Sequence, residues 1–125
     1  MTEDRRTEKR KIGDAGENAA AEYLEKHGYM IAARNFSCRI GEIDIIAVCP
    51  ERHHISFVEV KTRKNTDYGF PSEFVGREKQ RRLRRTAQVF LFANPLYRDY
   101  EKSMDVFEVL RINGKLFGRH IPNAF

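Results

Sequence analysis

The chain has few of the residues that would place it in a secreted, membrane or zinc-binding class. Cysteine occurs only twice, as Cys38 and Cys49. The pair makes neither a CxxC motif nor a disulfide framework and lacks zinc-ligand spacing. Both read as small buried or strand-end residues in a reducing, cytoplasmic setting. No apolar run approaches the ~20 residues that cross a bilayer, so no membrane partner is expected. The start, MTEDRRTEKRK, has no apolar signal core and reads as a mobile charged tail over residues 1–11. Neither an internal repeat nor a linker divides the rest, and 125 residues suit one domain, here 12–125.

Charge is what the chain has in quantity. A third of the residues are charged (33%), against 41% hydrophobic, and 23 Lys and Arg outweigh 18 Asp and Glu to give +5. With a sequence pI near 9.4, the balance favours polyanions as partners, nucleic acid ahead of acidic membrane. Charge kept for solubility is the ordinary alternative.

The pattern of elements predicts α/β architecture. Residues 14–27 read as a helix, with Asp14 as cap, Glu17 completing a capping box and Gly28 as the stop. Strands are predicted over 29–36, 40–48 and 55–62, joined closely enough to form an antiparallel meander. A polar loop over 63–72 leads to a helix over 73–93 with Leu83, Ala87, Phe90 and Leu91 on its buried stripe. A strand over 104–112, the turn pair Asn113-Gly114 and a returning strand over 116–121 complete the order α-β-β-β-α-β plus a C-terminal strand. The expected result is a mixed sheet flanked by helices.

Within this frame, Phe57-Val58-Glu59-Val60-Lys61 puts a carboxylate and an ammonium on one face of an apolar strand. The preceding strand carries Asp44 in Ile43-Asp44-Ile45-Ile46-Ala47-Val48. In simple alternation Glu42, Asp44 and Ile46 share one face, and Ile43, Ile45 and Ala47 the other. Neighbouring strands lie about 4.8 Å apart, so Asp44 and Glu59 on the same side would reach one cation. Two carboxylates, the backbone carbonyl of Val60 and water suit Mg2+ or Mn2+. Lys61 would then position the attacking water or offset charge on a phosphate. The same spacing also describes an internal Asp-Lys-Glu ion network, and spacing alone does not choose. Glu17 lies on the inward face of its helix and either reaches this site or serves only the cap.

Residues 77–85 hold six basic residues and one acid. Arg77, Arg81, Arg84 and Arg85 share a face that suits a phosphate backbone, as does a solvated surface. Lys79 belongs to the same basic run. Gln80 either enters the site or is a surface amide. Arg39 and Arg63 flank the two carboxylate strands, where a scissile phosphate would lie. The loop Tyr68-Gly69-Phe70-Pro71 either stacks on a base or anchors itself by packing. His53 and His54 read as turn residues, and Asp105 as a structural charge.

GDAGENAAAEYL, GEIDIIA, FVEVKTR, KQRRLRRTAQVFL, MDVFEV and HIPNAF together resemble the YraN-like bacterial family. More broadly they resemble the PD-(D/E)XK nuclease superfamily, in its Holliday-junction-resolvase-like branch. The resemblance runs from about Gly13 to Phe125. It implies a restriction-endonuclease-like core and metal-dependent cleavage of DNA, including branched or junction DNA. It also implies roles: Asp44 and Glu59 as metal ligands, Lys61 as catalytic lysine, Glu17 as the helix-one glutamate. Ile43 stands where the superfamily loosely keeps proline. A non-catalytic nucleic-acid-binding module on the same fold is the competing expectation, and a homodimer would suit a two-strand cutter by analogy.

Overall fold

The computed structural model describes the backbone of residues 5–63 and 75–125, and side chains from Asp14 onward within them. The elements are α1 (Arg5–Lys26), β1 (Met30–Ser37), β2 (Glu42–Cys49), β3 (His54–Arg63), α2 (Arg77–Ala93), β4 (Glu101–Ile112) and β5 (Lys115–Ile121). The predicted α-β-β-β-α-β-β order is observed. The loop over 64–72, with Tyr68 and Phe70, lies outside the described residues.

Turn chemistry sets the connections. Gly28, at φ 90°, ends α1. Its neighbour Tyr29 donates its N–H back to the Leu24 carbonyl, and Gly28 donates to Glu25, which together form a Schellman closure. Asn113 and Gly114 both adopt positive φ, as a two-residue hairpin turn requires. The five strands lie in chain order, antiparallel except for the parallel β3–β4 pair. That parallel pair needs a crossover, and α2 lies in it.

Two apolar layers sandwich the sheet. On one face, Leu83, Ala87 and Phe90 of α2 pack on Ile46, Val48, Ile55 and Phe57. On the other, Ala20, Ala21 and Leu24 of α1 pack on Ile45, Ala47, Val58, Phe107 and Val109. Residues alternating along β3 therefore face different helices, Phe57 towards α2 and Val58 towards α1, as a period of two dictates. No helix among the described residues is long and apolar enough to cross a membrane.

Two expectations are corrected here. α1 begins at Arg5, not Asp14, so residues 5–11 are helical backbone and Asp14 and Glu17 sit inside the helix. Glu17 is therefore not part of a capping box. The simple alternation of β2 also fails: Ile43 joins the α2-side layer with Ile46 and Val48, while Ile45 and Ala47 lie on the α1 side. The break falls at Asp44. Across from it on β1, Asn35 adopts φ 53°, between the pairs Arg34–Ile45 and Phe36–Ile43.

Candidate active site at the β2–β3 seam

The break in β2 also opens the sheet. Pairing between β2 and β3 extends only to Ile45–Val58, and beyond it the Val60 N–H has no ladder partner on β2. Asp44 supplies one: its Oδ2 accepts the Val60 N–H at 2.8 Å. A carboxylate thus replaces a backbone carbonyl, in the seam between two strands. Val60 meets Asp44 through its N–H.

Glu59 projects towards α2 into the same cleft, lined by Gly41, Glu42, Asp44, Glu59, Lys79, Arg82 and Leu83. Although buried, it is not left unpaired. Its Oε1 lies 2.7 Å from Lys79 Nζ and 3.6 Å from Lys61 Nζ. Two ammonium groups from different elements converge on one carboxylate oxygen. Lys79 is held protonated above its usual range: burial opposes the charge, but the hydrogen bond and charge of Glu59 outweigh it.

At Asp44 the balance disfavours the charged form instead. Burial, then the neighbouring Glu59 charge, push its pKa up to about 7, with Glu17 adding to the rise; the Val60 N–H and Lys79 oppose it. At neutral pH the Asp44 carboxyl is therefore shared between its charged and neutral forms.

Glu17 reaches this field from α1. Its Oε2 accepts from Arg34 at 3.4 Å and from Asn35 at 3.3 Å. Close helix–sheet contact makes the approach possible, because a Cβ at the preceding Gly16 would stand 2.5 Å from Thr62 Oγ1. Gly41 plays the same part for α2, where a Cβ would lie 3.0 Å from Thr86 Oγ1.

The remaining predicted contacts are distributed around this centre. Arg39, Arg77, Arg81, Arg84 and Arg85 are all exposed; Arg84 lies over the Phe125 ring at 5.4 Å. Lys79, expected among the phosphate contacts, is in the cleft itself. Gln80 instead donates to the Val75 carbonyl at 2.7 Å, pinning the approach to α2. Arg63 is largely buried and ion-paired to Glu108 of β4, which also meets Arg119 at 3.1 Å. Asp105 belongs to the opposite face, bonded to His120 at 2.8 Å and to the Asn123 N–H at 3.0 Å. His54 lies within β3, its Nε2 at 2.7 Å from Ser103 Oγ.

Sequence reasoning missed Arg82 as a cleft residue and Lys79 as the partner of Glu59. A signal for Lys79 exists: it lies four residues before Leu83 and so shares the inward side of α2.

A mixed sheet covered on both faces, with paired carboxylates and lysines at a strand seam, defines an α/β protein with a charged cleft. The chain belongs to the uncharacterised protein family UPF0102, the YraN-like family, which residues 16–112 match. It is 47% identical to the UPF0102 protein of Caldicellulosiruptor saccharolyticus, over 94% of this chain and 98% of that relative. It is 42% identical to that of Caldanaerobacter subterraneus subsp. tengcongensis, over 97% and 99%. A relative in Clostridium botulinum is 40% identical over 91% of this chain and 93% of its own length.

Proposed function

We propose that this chain is a metal-dependent endonuclease of the PD-(D/E)XK superfamily, in the junction-resolvase-like branch, acting on DNA and on branched DNA in particular. The observation that carries the reading is the convergence of Asp44 and Glu59 in one cleft, with Lys61 and Lys79 at the Glu59 carboxylate.

The donor chemistry suits magnesium or manganese. Among the described residues no group of three or more Asp, Glu, His or Cys side chains is placed to hold one ion. Two carboxylates with water in the remaining positions still match magnesium, which keeps several waters and takes hard oxygen donors. Burial and the Glu59 charge disfavour the ionised form of Asp44, a cost that a bound cation would relieve. Asp44 and Glu59 would hold the ion, with the Val60 carbonyl as a further donor and Glu17 acting through water. When bound, the ion supplies Lewis-acid polarisation of the phosphate and makes water a stronger nucleophile.

The chain's own groups do the rest. Lys61 shares the β3 face with Glu59 and orients the attacking water or offsets charge on the phosphate as it grows. Arg39, Arg77, Arg81, Arg84 and Arg85 hold the DNA backbone and set its register. Exposed arginines of this kind contribute mainly salt-dependent affinity. A cytoplasmic location accompanies the reading, and a homodimer would place two such clefts on opposite strands.

A non-catalytic nucleic-acid-binding module is the second reading. It draws on the two lysines at Glu59, which neutralise that carboxylate without a metal. Manganese titration followed by electron paramagnetic resonance separates the two. One bound ion in the wild type, weakened at least ~10-fold in both Asp44→Asn and Glu59→Gln, supports the nuclease. No binding at millimolar manganese removes it.

A further inference from the structure

Phe92 is 91% exposed, and Val89 one turn earlier is 37% exposed. A large aromatic ring at this level of exposure contributes nothing to either core layer. Its position on α2 is informative. At 100° per residue, Arg77, Arg81, Arg85 and Phe92 fall within an arc of about 80°. All three arginines are exposed. The ridge that faces solvent is therefore a line of guanidinium groups ending in a bare phenyl ring.

A shallow depression beside the ring is lined by Ile40, Arg85, Gln88, Val89 and Phe92. It adjoins the carboxylate cleft at two points. The turn before β2 contributes Ile40 to the depression and Gly41 to the cleft, and Glu42, the first residue of β2, also lines the cleft. α2 contributes Arg82 to the cleft and, one turn on, Arg85 to the depression. A strand leaving the cleft along α2 runs directly towards Phe92. About 20 Å of helix separates Lys79 from Phe92 at 1.5 Å per residue, the length of roughly six base-pair steps at 3.4 Å of duplex axis each.

We infer that Phe92 is a base-stacking platform for single-stranded DNA, and that the depression beside it takes the first unpaired nucleotides flanking a duplex held by the arginine ridge. An apolar ring among guanidinium groups fits a polyanion that also offers aromatic faces. Bases inside a duplex have no free face, whereas unpaired bases stack on aromatic side chains whatever their identity. The inference rests on the nucleic-acid part of the proposed function and names its substrate class: a duplex bordered by an unpaired strand.

The test measures binding in metal-free buffer, where no cutting intervenes. The probes are a blunt duplex and the same duplex with a single-stranded tail carrying 2-aminopurine at successive positions. The wild type is expected to bind the tailed duplex about tenfold more tightly and to quench 2-aminopurine at one tail position. Phe92→Ala loses the preference and the quenching and keeps blunt-duplex affinity within about twofold; Phe92→Tyr keeps all three. Because the ring is exposed, truncation leaves both core layers intact, and circular dichroism checks this. A Phe92→Ala protein that still prefers the tail overturns the inference. So does one that instead loses self-association in gel filtration, which assigns the ring to a protein interface. A wild type that binds neither probe at low salt removes the nucleic-acid reading itself, an outcome distinct from the failure of Phe92 alone.

Discussion

Lys79 of α2 and Glu59 of β3 form a 2.7 Å ion pair across the cleft, and Lys61 approaches the same carboxylate oxygen at 3.6 Å. Lys79 is the closer of the two and comes from a different element. It occupies the oxygen that the proposed cation would need, so the lysine and such an ion would compete. Lys79→Met is expected to bind manganese several-fold more tightly than the wild type, since a competing charge is gone. In metal-free buffer the same variant should lose ~1 kcal/mol of stability, a modest cost because the lysine is partly exposed. Calorimetric titration and thermal melts with and without metal check both signs. Weaker metal binding in Lys79→Met would contradict competition.

Asp44 gives the metal-free protein an unusual pH dependence. Its pKa rises from 3.8 to about 7 on folding. Between those values the folded state holds a proton that the unfolded chain has released. Stability from this group is therefore full below about pH 4 and declines as pH rises to about 7. Asn at this position keeps an acceptor for the Val60 N–H and carries no charge. Asp44→Asn should match the wild type at about pH 3.5 and exceed it at pH 8 by up to a few kcal/mol. Chemical denaturation at the two pH values, with chelator present, measures the difference.

Gly16 brings α1 close to the end of β3. An alanine there would meet Thr62 Oγ1 at 2.5 Å, and a β-branched side chain has little room to turn away. Gly16→Ala is expected to cost ~1–3 kcal/mol through overpacking. Thr62→Ala in the same chain should recover most of the loss, aided by the helix preference of alanine over glycine. A double-mutant cycle gives the coupling directly, and additive effects would show that the contact does not limit the approach.

The fully buried Asp105 is a stability element on the far face of the sheet. Burial raises its pKa, but hydrogen bonds from His120, Ser103 and the Asn123 N–H outweigh that and hold it below the usual carboxylate value. Its contribution is present above the unfolded pKa near 4 and is lost as pH falls through the lower folded value. His120→Ala should cost ~2–4 kcal/mol by leaving a buried charge short of a partner. It should leave manganese affinity in the cleft unchanged, which distinguishes a structural network from a part of the site.

Much of this arrangement was legible in the sequence because it depends on local rules. Gly28 ended a helix, Asn113-Gly114 closed a hairpin, and the apolar stripe of Leu83, Ala87 and Phe90 marked α2. Alternation placed Glu59 and Lys61 on one face. Position failed where tertiary structure overrode local pattern. The start of α1 was missed because Arg5–Lys11 contains no apolar residue to mark a helical stripe, although its residues favour helix. Ile43 departed from alternation because Asn35 and Asp44 break the strand pair, and a left-handed asparagine leaves little trace in sequence. The pairing of Arg63 with Glu108 needs the parallel β3–β4 alignment, which only the crossover through α2 establishes. Lys79 groups with the arginines by charge, whereas helical angle sets it on the inward side with Leu83.

The most direct measurement is cleavage by purified protein of linear duplex, flapped, four-way and single-stranded DNA, and RNA, with magnesium or manganese. If Asp44, Glu59 and Lys61 form a phosphodiesterase, DNA is cut only when metal is present, branched substrates fastest, and both Asp44→Asn and Lys61→Ala lose at least ~100-fold in rate while remaining folded. Tight, salt-sensitive binding without cutting under any metal would contradict the nuclease and leave a binding module; cutting that survives in both variants would contradict the site.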